Sequence, residues 1–368
     1  MYGEVFREAP VFVTGHTGFK GAWLSLMLSQ LGAKVIGYAL SPPTTPSLFM
    51  QSGLAANVTH IEADIRDQVQ LIRALRAHHP RFIFHLAAQP LVLDAYRNPL
   101  ETYDINVMGS LKLLDAVRQT GISTTIIMVV TDKCYQNNEW VYGYRENDAL
   151  GGYDPYSASK AAMDIASQSY QLSFFPLDAI NEHGVSVATV RSGNVIGGGD
   201  WAYNRIVPDA IRAFFNGESL QLRNPSAVRP WQHVLEPLSG YLWLAAQLSR
   251  DPARFTGGWN FGPLPTESSS VRLLADTMVS AWGDGVQWHD ASTNTTLHEA
   301  NLLRLNIDKA VSMLGWSPVW DFQTTVERTV RWYKASIDAN AEQTIELCAD
   351  DIAAYVQSAS KAGLAWTS

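Results

Sequence analysis

Residues 129 to 137, Val-Val-Thr-Asp-Lys-Cys-Tyr-Gln-Asn, leave an apolar run and at once set a hydroxyl, a carboxylate and an ammonium side by side at Thr131, Asp132 and Lys133. Further on, Asp-Pro-Tyr-Ser-Ala-Ser-Lys places Tyr156 and Lys160 four apart, so that on a helix both project from one face. An ammonium beside a phenol favours the phenolate and turns a group with an ordinary pKa of about 10 into a usable base near neutrality. Such a base, with a hydroxyl to orient the substrate, takes the proton of an alcohol as hydride leaves. The hydride needs an acceptor. In Val-Thr-Gly-His-Thr-Gly-Phe-Lys-Gly, Gly15, Gly18 and Gly21, with Phe19 among them, stand between the first strand and the first helix as candidate cofactor-binding residues. Glycines there let the backbone approach a pyrophosphate while the helix N-terminus supplies amide donors. A Tyr-Lys pair alone is common by chance; its force comes from the order glycine loop, strand-end hydroxyl, Tyr-Lys helix.

Short β-rich runs alternate with helical patterns through the first half, which predicts βαβ units and a parallel sheet. The strands are expected at 11–14, 34–39, 58–63, 81–87, 124–130 and 185–190. Several are apolar on both faces, as strands covered by helices must be. Phe19, Trp23, Leu26, Met27 and Leu31 give helical spacing, and 100–119 and 156–172 are long enough for helices. Beyond about residue 195 the pattern loosens into Gly- and Pro-rich loops between helices at 206–215, 235–249, 270–283 and 322–338. The expected fold class is therefore α/β, a doubly wound parallel Rossmann sheet with a smaller C-terminal α/β lobe. Its parts are 1–195 for the dinucleotide and the catalytic residues, 196–340 for the substrate (with strands free to return to the sheet), and a helical tail at 341–368.

Strand ends of such a sheet line the ligand path, which nominates Asp64 and Ile65 after the third strand and Ala87, Ala88 and Gln89 after the fourth. Asp64 could equally cap the helix that follows. An acidic residue at the end of the second strand would grip a ribose 2′-hydroxyl and an arginine would accept a 2′-phosphate, yet Gly-Tyr-Ala-Leu-Ser-Pro-Pro has neither. Cofactor choice stays open at that feature.

A formal charge of −8 argues against a surface for nucleic acid or anionic lipid, leaving an anionic small ligand to a local basic cluster. The apolar run at 126–130 is far short of a membrane span, and the first ten residues lack the pattern of a signal peptide. Two cysteines, Cys134 and Cys348, give no disulfide framework and suit a reducing compartment, the cytoplasm. No Cys, His or Asp spacing resembles a metal site. His78 and His79 close a helix before Pro80, and the twelve tryptophans are expected in core and pocket walls.

Longer phrases carry a resemblance: "VFVTGHTGFKGAWLSL", "AAQPLV", "ETYDINVMGS", "TDKCY", "YGYRENDALGGYDPYSASK", "VRSGNVIGGGDWAYNRIVPD" and "VRPWQHVLEPLSGYL". They span roughly residues 10–245, with weaker likeness in "GWNFGP", "HEANLLRLN" and "LGWSP". The chain resembles the extended short-chain dehydrogenase/reductase family (NAD-dependent epimerases and dehydratases), and within it the CDP-glucose branch of the 4,6-dehydratases. That resemblance implies a tightly held NAD that oxidises the hexose C4 hydroxyl, loss of water across C5 and C6, and return of the hydride to C6. It implies Tyr156 as base, Lys160 as holder of the nicotinamide ribose, Thr131 on the same hydroxyl, Asp132 as acid for the departing 6-hydroxyl and Lys133 as base at C5. A lysine in that role has to be desolvated or crowded by another cation. Arg229, Arg205 and Asn194 match positions near the substrate pyrophosphate, and His298 and Glu299 match positions near the nucleotide ribose. The resemblance also implies a homodimer paired through the helices near 100–119 and 156–172, or a higher homo-oligomer, and a place in deoxysugar synthesis of the lipopolysaccharide O-antigen kind.

Two positions depart from the pattern. Leu93 and Asp94 follow "AAQPLV" where an arginine is expected, and Asn204 replaces an aspartate before Arg205. A dehydratase or epimerase acting on another nucleotide sugar is the alternative. An epimerase would not need Asp132 and Lys133 as an acid-base pair. A non-catalytic dinucleotide sensor would be expected to lose Tyr156 or Lys160, and both are present.

Overall fold

The computed structural model describes residues 1–264, 269–292 and 302–368. Its centre is a parallel sheet of seven strands: β1 (Pro10–Thr14), β2 (Lys34–Ala39), β3 (Thr59–Glu62), β4 (Phe82–His85), β5 (Thr124–Val129), β6 (Val185–Ser192) and β7 (Gly257–Phe261). The order is β7-β6-β5-β4-β1-β2-β3, so the direction of winding reverses between β1 and β4. A crevice opens at such a reversal, outside the carboxyl ends of the strands.

Alternation of side chains along each strand explains why helices are needed on both faces. Val11 and Val13 of β1 enter one apolar cluster with Trp23, Leu24 and Leu28 of α1 (Phe19–Gln30), whereas Phe12 enters the other. Ile127 and Val129 of β5 follow the first set, and Ile126 and Met128 the second. The second layer holds α2 (Gln68–His78), α3 (Ser110–Thr120) and α4 (Pro155–Phe174), through Leu71, Leu75, Leu113, Val117 and Met163. The last strand, β7, comes from the region after 195 and pairs with β6 from Gly257↔Ala188 to Phe261↔Ser192. The tail forms α5 (Ala341–Lys361), closed by a capping box in which Asn340 and Gln343 bond each other's backbone. Trp23, Trp259, Trp316, Trp332 and Trp366 are fully buried, in keeping with core tryptophans.

The segment expected as one helix over 100–119 is continuous in the chain but changes pitch. Pro99–Tyr103 leads into a π-helical stretch, Asp104–Gly109, and then α3. The wider turn is where Asn106 is buried, and helical periodicity in a sequence carries no mark of one inserted residue.

Glu236 ties the tail to the body of the protein. Fully buried, its carboxylate accepts from the backbone of Val319 at 3.0 Å and Trp320 at 2.7 Å and from the Tyr355 hydroxyl at 2.7 Å. Burial outweighs these bonds and pushes its pKa up from 4.5 to about 7. The folded protein therefore holds a proton that the unfolded chain releases, and this group's contribution to stability is complete below about pH 4.5 and lost as pH rises to about 7. Denaturant unfolding of Glu236→Gln, compared with the parent from pH 4.5 to 7, should remove a slope worth on the order of 3 kcal/mol over that range. Parallel curves for the two proteins would show that Glu236 is ionised throughout.

Candidate active site

At the sheet's reversal the first glycine is fixed by geometry. Gly15 has φ +75°, and a Cβ there would lie 2.7 Å from the backbone nitrogen of Ala87, at the end of β4. A Cβ on Gly21 would lie 2.1 Å from the Gly15 carbonyl oxygen. Gly18 is the N-cap of α1 and offers no side-chain cap, so the first-turn amides are left for a ligand. This close-packed cradle of bare backbone fits the pyrophosphate of a dinucleotide. It opens into a cleft of about 1410 Å³ lined by Gly15, Gly18, Phe19, Gly21, Asp64, Ile65, Ala87 and Ala88, by Thr131, Asp132, Lys133, Tyr156 and Lys160, and by Asn194, Arg205 and Arg229. All of these were read from the sequence.

Gln89 stands apart from the cleft lining. Its side chain donates to the Leu91 carbonyl and Thr102, and its backbone nitrogen donates to Asn106, so it shapes the turn after β4. His298 and Glu299 lie outside the described residues. Asp64 does not cap α2, a role taken by Asp67; its carboxylate is held by Arg66 at 2.6 Å, which keeps it below the usual carboxylate range.

Thr131 and Asp132 sit where β5 ends. The Thr131 hydroxyl donates to Asp132 Oδ1 at 3.1 Å, and Asp132 Oδ2 is buried with no hydrogen-bond partner. Burial raises the Asp132 pKa, opposed by Lys133, the Thr131 hydrogen bond, Arg229 and Lys20. Gly193 makes room for this carboxylate, since a Cβ there would lie 3.0 Å from Oδ2 and 2.6 Å from Pro230 Cγ. Lys133 is half-buried on the cleft wall.

The Tyr-Lys pair behaves differently from what its spacing leads one to expect. Burial pushes the Tyr156 phenol up to about 12, with the Thr131 hydrogen bond and Arg205 countering only in part. The Lys160 ammonium donates to the Val129 carbonyl at 2.7 Å, and burial together with Lys20 brings its pKa down to about 7. In this state the phenol is protonated, because desolvation of the anion exceeds the pull of the surrounding cations.

A buried polar rail, only part of which the sequence suggested, positions these groups. The Thr14 hydroxyl accepts from the backbone of Leu86 and Ala87, both at 3.1 Å, so its own hydrogen goes to His85 Nδ1 at 2.8 Å. His85 Nε2 then donates to Ser110, and Ser110 donates to the Asn106 carbonyl at 2.7 Å. Asn106 in turn donates to Ser159, and Ser159 to the carbonyl of Tyr156. Burial holds His85 neutral, its pKa lowered to about 3. Tyr135 anchors the other side of the catalytic loop, accepting from Arg191 at 2.6 Å and donating to Asn260 at 2.8 Å. Arg191 is itself paired in the core with Asp164 of α4 at 2.7 Å.

At the far end of the cleft Arg229 is buried and Arg205 pairs with Asp200 at 2.9 Å. Asn204, which replaces an expected aspartate, adopts φ 62°, a conformation asparagine tolerates better than most residues; the carboxylate beside Arg205 comes from Asp200. Leu93 lines the cleft, and an arginine of the same short helix, Arg97, lines it one turn later.

A doubly wound sheet with a glycine cradle at its reversal, and with Thr131, Tyr156 and Lys160 grouped at the neighbouring strand end, defines an extended short-chain dehydrogenase/reductase. Within that class, the model of the GDP-mannose 4,6 dehydratase family matches residues 12–329, and the chain belongs to this family. It is 49% identical over 327 residues to a CDP-glucose 4,6-dehydratase of Salmonella typhimurium, covering 89% of this chain and 91% of that one. Among solved structures it is similar to a UDP-glucose 4-epimerase of Thermotoga maritima with UDP-glucose (TM-score 0.75, 21% identity, 89% of this chain and 100% of that one). It is also similar to a dTDP-glucose 4,6-dehydratase of Streptomyces venezuelae with NAD and TYD bound (TM-score 0.73, 23% identity, 88% and 97%).

Proposed function

We propose that the chain converts CDP-D-glucose to CDP-4-keto-6-deoxy-D-glucose and water, with NAD as an internally recycled cofactor. The observation that carries this reading is the presence of Asp132 and Lys133 in the same cleft as Thr131, Tyr156 and Lys160, because an oxidation-reduction alone needs no acid-base pair at that strand end. The identity to a CDP-glucose enzyme over most of both chains supports the base and sugar.

Bound NAD would supply the acceptor for the C4 hydride and the source of the hydride returned to C6. The cradle at Gly15, Gly18 and Gly21 would hold its pyrophosphate, and Asp64 and Ile65 would lie on the adenosine side. Thr131 orients the C4 hydroxyl, and Tyr156 accepts its proton as the phenolate, a form that the positive charge of an oxidised nicotinamide beside it would favour over the protonated phenol. The 4-ketone acidifies the C5 proton, which Lys133 removes. Asp132, whose pKa burial raises, is the acid that gives its proton to the departing 6-hydroxyl. Arg205 and Arg229 hold the substrate pyrophosphate, as guanidinium groups suit.

Leu100 and Met108 on the segment before α3, and Ile165 and Leu172 on α4, expose large apolar side chains, which supports a homodimer paired through these helices. Both cysteines are free and buried, in line with a reducing cytoplasm, and the likeness to a CDP-glucose 4,6-dehydratase supports a supply of 4-keto-6-deoxy sugar to deoxysugar synthesis. Among the described residues no helix is long and apolar enough to cross a membrane.

The test is to identify the dinucleotide retained by the purified protein and to offer it CDP-, dTDP-, GDP- and UDP-hexoses. The expected result is retained NAD and an alkali-absorbing keto sugar from CDP-glucose without net consumption of reductant. Absence of product from all four would overturn the dehydratase reading.

A further inference from the structure

The glycine loop contains a lysine that none of the roles above uses. Lys20 stands in the first turn of α1 and lines the cleft. Its ammonium donates to the Ser192 hydroxyl at 3.1 Å, and the same oxygen accepts from the buried Tyr241 hydroxyl at 2.8 Å. With both acceptor positions of Ser192 taken, the amine is held at the carboxyl end of β6, on the catalytic side of the cradle. The charged groups around it are Asp132, Asp200 and Arg205, and it acts in turn on Lys160.

This placement has an electrostatic consequence for a nicotinamide dinucleotide. The cradle fixes the pyrophosphate, the adenosine belongs on the side of β2 and β3, and hydride has to pass beside Thr131 and Tyr156. The redox ring therefore belongs to the stretch between cradle and Tyr156, into which Lys20 projects. The oxidised ring carries a positive charge and the reduced ring none, so an ammonium there penalises one form and not the other.

We propose that Lys20 is a charge-tuning residue of the cofactor site: its ammonium favours the reduced over the oxidised nicotinamide and so makes the bound cofactor a stronger oxidant of the C4 alcohol. Burial and Arg205 bring its pKa down to about 8, which leaves it largely protonated at neutral pH. The role is one of positioning charge, since Lys20 exchanges no proton or bond with the sugar. It rests on the proposed use of a nicotinamide cofactor.

The experiment is calorimetric titration of the cofactor-free protein with NAD and with NADH, for the parent, Lys20→Met and Lys20→Arg. Lys20→Met should tighten NAD about tenfold, equivalent to ~1.4 kcal/mol, and leave NADH nearly unchanged, whereas Lys20→Arg should keep the parent's ratio of the two Kd values. Should Lys20→Met fold poorly, Lys20→Gln makes the same comparison without the charge. An unchanged ratio, or equal weakening of both forms, would show a packing role and overturn the inference. Failure of the parent to bind either dinucleotide would overturn the cofactor reading itself, a result readily told apart from the first.

Discussion

Tyr156→Phe should lose about 10²- to 10⁴-fold in kcat, the range that a positioned acid-base group contributes, while binding of CDP-glucose stays within a few-fold of the parent. The phenol is buried and bonded by Thr131, so removing its oxygen deletes the group that, as phenolate with cofactor bound, would take the C4 proton, and leaves the shape of the cleft. Its helix is positioned by Ser159 and the rail from Thr14 to Asn106, none of which the substitution touches. Steady-state rates and titration with the nucleotide sugar separate the two quantities. A variant that kept most of its turnover would remove Tyr156 from the chemistry.

Asp132→Asn should separate oxidation from elimination. The parent carboxyl is almost wholly buried, one oxygen accepting from Thr131 and the other without a partner, and its pKa is raised. In the proposed elimination it supplies the proton to the leaving hydroxyl, and an amide of the same shape cannot replace that function. In a single turnover, stopped-flow absorbance should show reduced nicotinamide forming with nearly the parent's amplitude and then persisting, while keto-sugar formation falls about 10²- to 10⁴-fold. Lys133→Ala should give the same pattern if Lys133 removes the C5 proton. Full activity in the lysine variant would mean that another group takes that proton.

Of the fold, much was legible before any coordinates. The six strands expected from apolar runs are all present within a few residues, as are the helices at 206–215, 235–248 and 322–335. The helices are long and strongly patterned, and the central strands β1, β4, β5 and β6 are largely apolar on both faces because both are covered. β7 was not read as a strand, since Gly-Gly-Trp-Asn-Phe is short and rich in glycine. Its pairing with β6 is settled by Trp259 and Phe261, which reach the core from a distant stretch of chain. The π-helical turn at 104–109 was hidden for a similar reason: Asn106 looks like any polar residue on a helix until the fold buries it against Gln89 and Ser159.

The candidate site divides along the same line. Glycine spacing, the strand-end Thr-Asp-Lys and the Tyr-Lys helix are local patterns, and these the sequence by itself determined, together with the order in which they had to meet at one sheet edge. The protonation of Tyr156, the pairing of Arg205 with Asp200, the anchoring of Tyr135 by Arg191 and Asn260, and the delivery of Lys20 into the catalytic end of the cleft were decided only by the tertiary structure. Each depends on burial and on partners far apart in the chain. Desolvation and long-range charge have no local signature, and they decide which of the chemically able residues are poised to act.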